Sequence, residues 1–447
     1  MRIVAEGNFQ ESNLTEAGGS LDLAGQRTTV LRVGRRIMWY LIAIYVISIV
    51  DRANLGFAAL SMNKEIGLTP QTFTIGASLL FLATAVFELP SNLILAKYGA
   101  RITLTRICIF FGAVTMGMAL IIGQYSFYSM RLLLGIAEAG LTPGVFLVLT
   151  YWVPSAYRAR YNASFLYAIP IAYLITSFVS GAILRMDGTL GIAGWRWLFI
   201  LEGIPAILLG IFGAWYLTDK PAQAMWLRFD QRDWLTRQLE QEASQHNPNH
   251  GDGNLLQVFS SFRIWFLILG YVGIYCGNAV LFLWLPQILH ERGVAVPSIG
   301  PISAAPSLIG AIGMAIISRS SDRSRERIFH TTVVVLIGAA GYACVAYTST
   351  VVGAIVGYSL AGIGVYSSLA VFWSIPQTIL SDRVKPGAIA LISSAGAVLG
   401  GWLVPTFVSH IQAVHHSLSL GLYAISGLLV VCAVMICLSR LFGLTGR

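Results

Sequence analysis

Twelve long apolar stretches run along the chain, and each is close to the ~20 residues that a helix needs to cross a bilayer. They lie at residues 37–59, 72–95, 103–123, 127–150, 163–185, 196–217, 264–288, 298–318, 331–349, 351–378, 387–410 and 418–440. A helix satisfies its own backbone hydrogen bonds in lipid, and the stretches are too long and continuous for the strands of a membrane barrel. The pattern predicts an all-α polytopic membrane protein whose twelve transmembrane helices form two six-helix bundles.

The polar intervals set the predicted domain organisation. Residues 1–36 form a cytoplasmic N-terminal tail, 37–217 the N-terminal bundle, 218–263 a cytoplasmic linker, 264–441 the C-terminal bundle and 442–447 a cytoplasmic C-terminal tail. The linker mixes apolar and charged residues from Trp226 to Glu240, which indicates a short amphipathic helix on the cytoplasmic surface. Residues 246–251 are predicted to follow it as a flexible loop.

Composition supports the membrane assignment. Of the 447 residues, 56% are hydrophobic and only 11% are charged, whereas a soluble domain is about 25% charged. The mean hydropathy is +0.72. These values exclude a disordered chain, a coiled coil, a collagen and nearly every soluble enzyme.

The net charge of +9 comes from 29 Lys and Arg against 20 Asp and Glu. A basic soluble protein would suggest a nucleic-acid partner, but in membrane proteins Lys and Arg concentrate in cytoplasmic loops. Here 23 of the 29 lie in the tails, the linker and the alternate loops on one side, and four lie in the opposite loops. This distribution places both termini in the cytoplasm and predicts the bilayer, not nucleic acid, as the partner.

The five cysteines all lie in apolar segments, and none has the spacing of metal ligands. We interpret them as small core residues and expect no metal site. The N-terminal region carries acidic residues before any apolar stretch, so it does not have the pattern of a cleavable signal peptide.

Two short basic turns occupy matching places in the two halves. One follows the second predicted span and the other the eighth, and they read Ala96-Lys97-Tyr98-Gly99-Ala100-Arg101 and Asp322-Arg323-Ser324-Arg325. With this repeat and an amphipathic linker between six-helix halves, the sequence resembles the major facilitator superfamily from about residue 37 to 441. That family usually has an acidic residue where this chain has Ala96, whereas Asp322 keeps it. The resemblance implies that Asp322 and Arg323 contribute to gating.

Six ionisable residues lie within the predicted spans and at least four residues from either end, all in the first half: Asp51, Arg52, Glu88, Arg131, Glu138 and Glu202. Each costs about 2.5–3.5 kcal/mol or more at the centre of a membrane helix, so such residues face a cavity or a partner. The N-terminal bundle is therefore expected to carry the charge chemistry, and the C-terminal bundle to supply neutral polar and aromatic groups.

The spacing of four of these residues predicts their arrangement. Adjacent residues on a helix point about 100° apart, so Asp51 and Arg52 face different neighbours. Arg131 and Glu138 are seven residues apart and share one helix face. We expect Asp51 to pair with Arg131, and Glu138 to lie deeper without an obligatory partner. Burial disfavours the charged form of a carboxyl, whereas a nearby cation favours it. Asp51 and Glu138 can therefore bind and release protons and are candidate proton carriers. The alternative is that these charges only hold helices together.

Arg52 is the candidate substrate ligand, because an unpaired guanidinium in a cavity binds a carboxylate through two parallel hydrogen bonds. The alternative is an ion pair with an acid of the same chain. Glu88, near the inner end of the second span, is expected to belong to a cytoplasmic gate. Glu202 lies six residues after Arg196, which favours a structural role for that carboxyl.

The same residues resemble the anion:cation symporter branch of the superfamily, which takes up tartrate, sugar acids, phthalate and related anions. The matching segments are Asp51-Arg52-Ala53-Asn54-Leu55-Gly56, 131–140, 194–202, Asp219-Lys220-Pro221 and 224–227. The resemblance implies that Asp51 and Glu138 carry protons, that Arg52 faces the substrate and that Arg131 partners Asp51.

Several residues differ from those of the sugar-acid members, and the differences narrow the range of expected substrates. Ile49 and Thr84 stand where tyrosines are common, and Ser393 stands where galactonate-type members have Asn. We expect a smaller or less hydroxylated anion than a six-carbon sugar acid, such as tartrate. The neutral wall of the site is expected to come from the second half, with substrate contacts from Tyr275, Asn278, Trp373, Ser374 and Ser393.

The predicted function is a secondary active transporter that imports a small organic anion with protons as the coupling ion and without a cofactor. It is expected to act as a monomer in the bacterial inner membrane. The runner-up is a proton-coupled antiporter or efflux pump for aromatic or amphipathic carboxylates. A membrane-embedded enzyme lacks a matching catalytic motif, and a transporter-like sensor lacks room for a signalling domain.

Overall fold

Twelve helices long and apolar enough to cross a membrane lie in the part of the chain that the computed structural model describes, residues 21–245, 262–324, 326–379, 385–415 and 417–441. We number them α1 to α12 in chain order: Leu23–Glu65, Pro70–Leu95, Ala100–Leu120, Gln124–Trp152, Ser155–Met186, Gly194–Tyr216, Ile264–Glu291, Val296–Ser324, Ile328–Tyr347, Val351–Pro376, Leu391–His415 and Leu418–Leu438. The prediction of an all-helical twelve-span protein is confirmed.

The first helix begins at Leu23, so part of the predicted tail 1–36 is helical. The Asp22 side chain caps this helix by accepting a hydrogen bond of 2.8 Å from the Gly25 backbone N–H. The apolar face that serves α1 in the membrane also continues before residue 37, because Val30 and Val33 are buried like Ile37. The polar residues between 23 and 36 lower the average hydropathy there, so the predicted span began only at residue 37 although the buried face of the helix begins earlier.

Four of the helices are interrupted, and they are the fourth and fifth helices of each half. α4 consists of Gln124–Glu138 and Leu141–Trp152, and α5 of Ser155–Leu166 and Ala168–Ile183 followed by a 3₁₀ turn. In the second half, α10 breaks at Trp373, and α11 contains a π-helical segment, Gly396–Leu403. In α4 the break is made by Gly140, whose φ of 84° favours glycine. It places Glu138 at the end of a helical segment.

The linker contains the predicted surface helix, Phe229–Gln245. Its Glu242 carboxylate accepts hydrogen bonds of 3.2 and 3.0 Å from the Ser155 backbone N–H and pairs with Arg158. Gln231 at its start accepts a bond of 3.1 Å from Arg32 of α1. The helix is therefore fixed to the N-terminal half. The predicted loop 246–251 and tail 442–447 lie outside the described residues.

The two halves meet on one side of the molecule. We call the side where α1 begins the terminal face, and the side where α1 ends and α2 begins the far face. Three hydrogen bonds between the halves lie on the far face: between Gln71 and His410, between Ser78 and Thr406 at 3.0 Å, and from Arg185 to the Pro297 carbonyl. The two halves are therefore joined on the far face, where Gly181 of α5 and Gly300 of α8 also approach closely.

Candidate functional site

The centre of the site is an ion pair between α1 and α4. The Arg52 Nε donates to Glu138 Oε2 at 2.7 Å, and Ser48, one turn before Arg52, donates to Glu138 Oε1 at 3.1 Å. The Glu138 side chain has no exposed surface, whereas 20% of the Arg52 side chain is exposed. The pair therefore joins a buried acid to a cation that solvent can reach.

This pair corrects two expectations from the sequence. Glu138 was expected to lack an obligatory partner and Arg52 to be unpaired, but each is the other's ion-pair partner, which is the alternative given for Arg52. Helix periodicity placed Glu138 correctly on the face of Arg131. It could not show that Arg52 of α1 turns toward the break in α4, because that contact depends on how the two helices pack.

Asp51 lies behind Arg52 and is 2% exposed. Its Oδ1 accepts a hydrogen bond of 2.6 Å from the Thr115 hydroxyl of α3, and its Oδ2 has no hydrogen-bond partner among the described residues. Arg131, equally buried, donates from Nη2 to the Ala77 carbonyl at 3.2 Å, while its Nε and Nη1 have no partner in the described chain.

The predicted close pair of Asp51 and Arg131 is therefore wrong for this conformation. The described residues form no ion pair between them within 4.0 Å, although they are near enough to interact electrostatically. Asp51 accepts from Thr115 and Arg131 donates to the Ala77 carbonyl instead. Buried polar atoms without partners are costly, so both side chains keep unused hydrogen-bonding capacity that a rearrangement could satisfy.

A third acid, Glu202 of α6, lies in the same bundle and is 6% exposed. Its Oε2 accepts a hydrogen bond of 2.5 Å from the Asn54 amide, and its Oε1 contacts the Ser180 hydroxyl at 2.9 Å. Arg196 pairs instead with Glu65 at 3.1 Å and donates to the Ala119 carbonyl. Arg196 therefore lies at the far face, where Glu65 ends α1, and Glu202 is held by neutral groups instead.

Tyrosines surround the exposed side of Arg52. The hydroxyls of Tyr45, Tyr173 and Tyr275 are close enough to interact electrostatically with the guanidinium, and Tyr173 lies beside Asn278. Tyr275 also packs edge-on against Phe81 of the other half, with ring centroids 5.8 Å apart. The predicted residues Tyr275 and Asn278 thus lie in the wall that faces Arg52.

The other second-half candidates are Trp373, Ser374 and Ser393. Trp373, at the break in α10, is half-buried and packs edge-on against Tyr271 at 4.8 Å. Ser374 follows it and donates to the Val371 carbonyl at 2.6 Å. Ser393 is half-buried in α11. Breaks in two helices of the C-terminal half therefore carry or adjoin these side chains.

The predicted gating residues fall into two places. Glu88 is half-buried in α2 and close enough to Arg52 and Tyr271 to interact electrostatically with both, so it faces the cavity. Asp322 lies on the terminal face and pairs with Arg327 at 2.6 Å, while Arg323 is exposed beside it. The structure brings Glu88, but not Asp322 or Arg323, to the centre of the site.

Sequence reasoning missed the neutral residues that hold the acids: Ser48, Asn54, Thr115 and Ser180. A signal was present, because Ser48 and Asn54 lie three residues before and after Asp51 in an otherwise apolar helix. Buried polar side chains need hydrogen-bond partners, but the acids that Ser48 and Asn54 bind, Glu138 and Glu202, lie on other helices. In the described residues, no group of three or more His, Cys, Asp or Glu side chains is placed to hold a metal ion.

Comparison with known proteins adds a family and relatives. Residues 41–405 match the Major Facilitator Superfamily. The chain is 39% identical over 410 residues to a protein of Agrobacterium vitis named "Putative tartrate transporter", covering 91% of this chain and 94% of that one. It is 34% identical over 402 residues to a "Quinolone resistance transporter" of Acinetobacter baumannii, covering 90% and 92%.

Among solved structures, the fold is similar to that of a bacterial homologue of the human lysosomal transporter Spinster, in an inward-facing and occupied conformation. The TM-score is 0.72 with 16% sequence identity, and the similarity covers 92% of this chain and 98% of that one. This similarity concerns the fold.

Proposed function

The chain belongs to the major facilitator superfamily, and from that premise we propose that it imports a small organic anion together with protons. Membership of this transporter family confirms the prediction of a multi-pass membrane transporter rather than an enzyme. The substrate is proposed to be a small carboxylate, a hydroxy or sugar acid such as tartrate. The coupling ion is proposed to be the proton.

The Arg52–Glu138 pair carries this proposal. Within the described chain, Glu138 uses only the Nε of the guanidinium. No hydrogen bond of the described chain uses the two Nη groups of Arg52, and 20% of its side chain is exposed. A carboxylate binds the edge formed by the two Nη groups through two parallel hydrogen bonds. Arg52 can therefore hold Glu138 and meet a substrate carboxylate on different sides.

Coupling follows from the burial of Glu138. When Glu138 is charged, it holds Arg52 and neutralises it, so a substrate anion meets a weaker positive field. When Glu138 binds a proton, the positive charge of Arg52 becomes available to the substrate, and no unpaired charge is left buried. Substrate and proton are then bound together or not at all, which is what symport requires.

The contact between the halves on the far face supports an alternating-access cycle. The positive-inside distribution favours a cytoplasmic terminal face, and we propose that the described conformation, with its halves joined on the far face, is inward-facing. Release of substrate there lets Glu138 lose its proton and re-form the pair with Arg52. We propose a bacterial inner-membrane location and action as a monomer.

The wall composition supports a small anion. The wall facing Arg52 presents tyrosine hydroxyls and the Asn278 amide, and the ionisable groups expected in the spans lie in the first half. Hydroxyl and amide groups can bind the alcohol oxygens of a hydroxy acid. The relative named as a tartrate transporter agrees with this choice.

A second candidate is proton-coupled efflux of aromatic carboxylates. It is favoured by the relative named for quinolone resistance and by the aromatic side chains Tyr271, Tyr275 and Trp373 that pack together beside the site. The two candidates differ in the direction of the pH gradient that drives accumulation.

The test is transport in proteoliposomes of known internal and external pH. Tartrate, galactonate, phthalate, hydroxyphenylacetate and a neutral sugar are supplied in turn, and both substrate uptake and the pH change are followed. We expect uptake of one hydroxy acid, driven by an external acidic pH and accompanied by proton uptake. Accumulation driven only by the opposite gradient would favour efflux, and uptake that responds to Na⁺ but not to pH would contradict proton coupling.

The residue test is Glu138→Gln, which keeps the shape but cannot release a proton. We expect it to abolish uphill accumulation while leaving exchange of substrate across the membrane at least partly intact, because exchange needs no net proton movement. Glu240→Gln, on an exposed position of the linker helix, is the matched control. Equal loss of exchange and accumulation would contradict the coupling role of Glu138.

A further inference from the structure

Glu202 is a buried acid that the Arg52–Glu138 site does not use. It lies on α6, where it contacts α1 through Asn54 and α5 through Ser180. Both contacts are with neutral groups, and Glu202 takes part in no ion pair of the described chain. A buried acid in a membrane helix without a cation is costly to keep charged, and such residues are expected to have a function.

The hydrogen bonds around Glu202 suit both the charged and the neutral form. The Asn54 amide donates to Oε2 in either form. The Ser180 hydroxyl can donate to Oε1 when Glu202 is charged, and it can accept from an Oε1–H group when Glu202 is protonated, since a hydroxyl is both donor and acceptor. Neither form leaves a carboxyl oxygen without a partner. A group that only held helices together would not need this versatility.

The charged groups around Glu202 are few. Asp51 of α1 is close enough for the two acids to interact electrostatically. On α3, the atoms that line the adjacent Gly203 come from Gly112 and Met116, which carry no charge. Arg196, on α6 itself, is held by Glu65, and Arg185, at the end of α5, donates to the Pro297 carbonyl.

We propose that Glu202 is a third proton-binding site of the N-terminal bundle, coupled to Asp51. A proton from bulk water binds Oε1, and the resulting Oε1–H group donates a hydrogen bond to the Ser180 hydroxyl oxygen. Asn54 binds Glu202, and Asp51, which Thr115 binds, lies three residues before Asn54 on α1. The carboxyls of Glu202 and Asp51 therefore lie about one helical turn apart along α1. Two negative charges this close repel, so protonation of one favours ionisation of the other.

The role in transport rests on the proposed symport, but proton binding itself does not. It can be measured on the full chain in lipid or detergent by infrared difference spectroscopy between acidic and alkaline pH, without any substrate. We expect a carbonyl band from a protonated carboxylic acid that grows as the pH falls and is lost in Glu202→Gln. The exposed Glu240→Gln is the control and should leave this band unchanged.

Ser180→Ala provides a second variant in case Glu202→Gln does not fold. Removing the hydroxyl should move the midpoint of the Glu202 band to higher pH, because a hydrogen bond to a charged carboxylate is stronger than one to the neutral acid. A difference spectrum unchanged in a folded Glu202→Gln protein would overturn the proposal. So would a Glu202 band whose strength does not vary with pH, since that acid never releases its proton.

A transport measurement then tests the coupling. If Glu202 exchanges its proton during the cycle, Glu202→Gln should lower the number of protons taken up per substrate by one. Failure of the symport proposal would appear as transport without proton uptake in the unchanged protein, while the infrared titration of Glu202 would remain. The two proposals are therefore distinguishable.

Discussion

Closure of the far face depends on two glycines, Gly181 of α5 and Gly300 of α8. A methyl group added to Gly300 would lie 3.0 Å from the Gly181 Cα and still closer to the Ser177 carbonyl oxygen. Both obstacles are backbone atoms, so no side chain can turn aside. Gly300→Ala is therefore expected to destabilise the described conformation, in which α5 and α8 touch. It should not destabilise a conformation in which the two helices are separate.

The size of the effect follows from this geometry. Overpacking by a single methyl group costs about 1–3 kcal/mol, and the rigid backbone on the opposite side favours the upper part of that range. A cost of about 2–3 kcal/mol that applies only to the far-face-closed state changes the ratio of the two states by about 30- to 150-fold. Such a change can make the far-face-open state dominant.

The assay is cysteine accessibility from the far face. Ser307 is 3% exposed and lines a small pocket between the halves together with Ser177 and Phe282. In a Ser307→Cys background, Gly300→Ala should raise the labelling rate by a polar, membrane-impermeant maleimide at least tenfold. The protein without the introduced cysteine measures background labelling of the native cysteines.

The matched control is Gly427→Ala in α12. A methyl group there meets no atom within 4 Å, so the substitution tests the added methyl without the clash. It should leave the labelling rate unchanged. If a folded Gly300→Ala protein is labelled no faster than Gly427→Ala, the close approach of α5 and α8 does not control access from the far face.

Two further predictions concern Arg52 and the turn before α3. Arg52→Lys keeps the charge but loses the planar guanidinium, so the substrate half-saturation concentration in the uptake assay should rise about tenfold or more. The control Arg237→Lys, on the linker helix, should not change it. An unchanged half-saturation concentration in both variants would exclude Arg52 as a bidentate ligand. The Asp219 carboxylate accepts a hydrogen bond of 2.8 Å from the Arg101 backbone N–H at the start of α3. Asp219→Ala should therefore destabilise the protein by about 0.5–2 kcal/mol, measured as a lower midpoint of thermal denaturation. Asp233→Ala, which removes only an exposed ion pair with Arg237, should lower this midpoint less.

Much of the architecture could be read from the sequence. The lengths of the apolar stretches gave the number of spans, because a bilayer imposes a minimum length on every helix that crosses it. Helix boundaries were less secure where polar residues interrupt a continuing apolar face, as between Leu23 and Ile37. The linker helix at Phe229–Gln245 was found because its apolar and charged residues alternate with helical spacing.

The acids and cations of the site were identifiable from the sequence for an energetic reason. Ionisable residues in apolar helices are costly, so Asp51, Arg52 and Glu138 stood out as candidates. Their neutral ligands were not found, because serine and threonine in a membrane helix can satisfy their hydroxyls on the helix's own carbonyls. Thr115 and Ser180 differ from such residues only because an acid of a neighbouring helix, Asp51 or Glu202, lies within hydrogen-bond distance of each.

The sequence by itself thus determined a twelve-helix membrane protein with its charge chemistry in the first half, because hydropathy and burial cost are properties of single residues and segments. Only the tertiary structure decided which partners the charges take. Glu138 joins Arg52, Asp51 takes Thr115, and Glu202 lies between Asn54 and Ser180. Each of these contacts joins two different helices, and their geometry depends on how the helices pack and on the break in α4 beside Gly140.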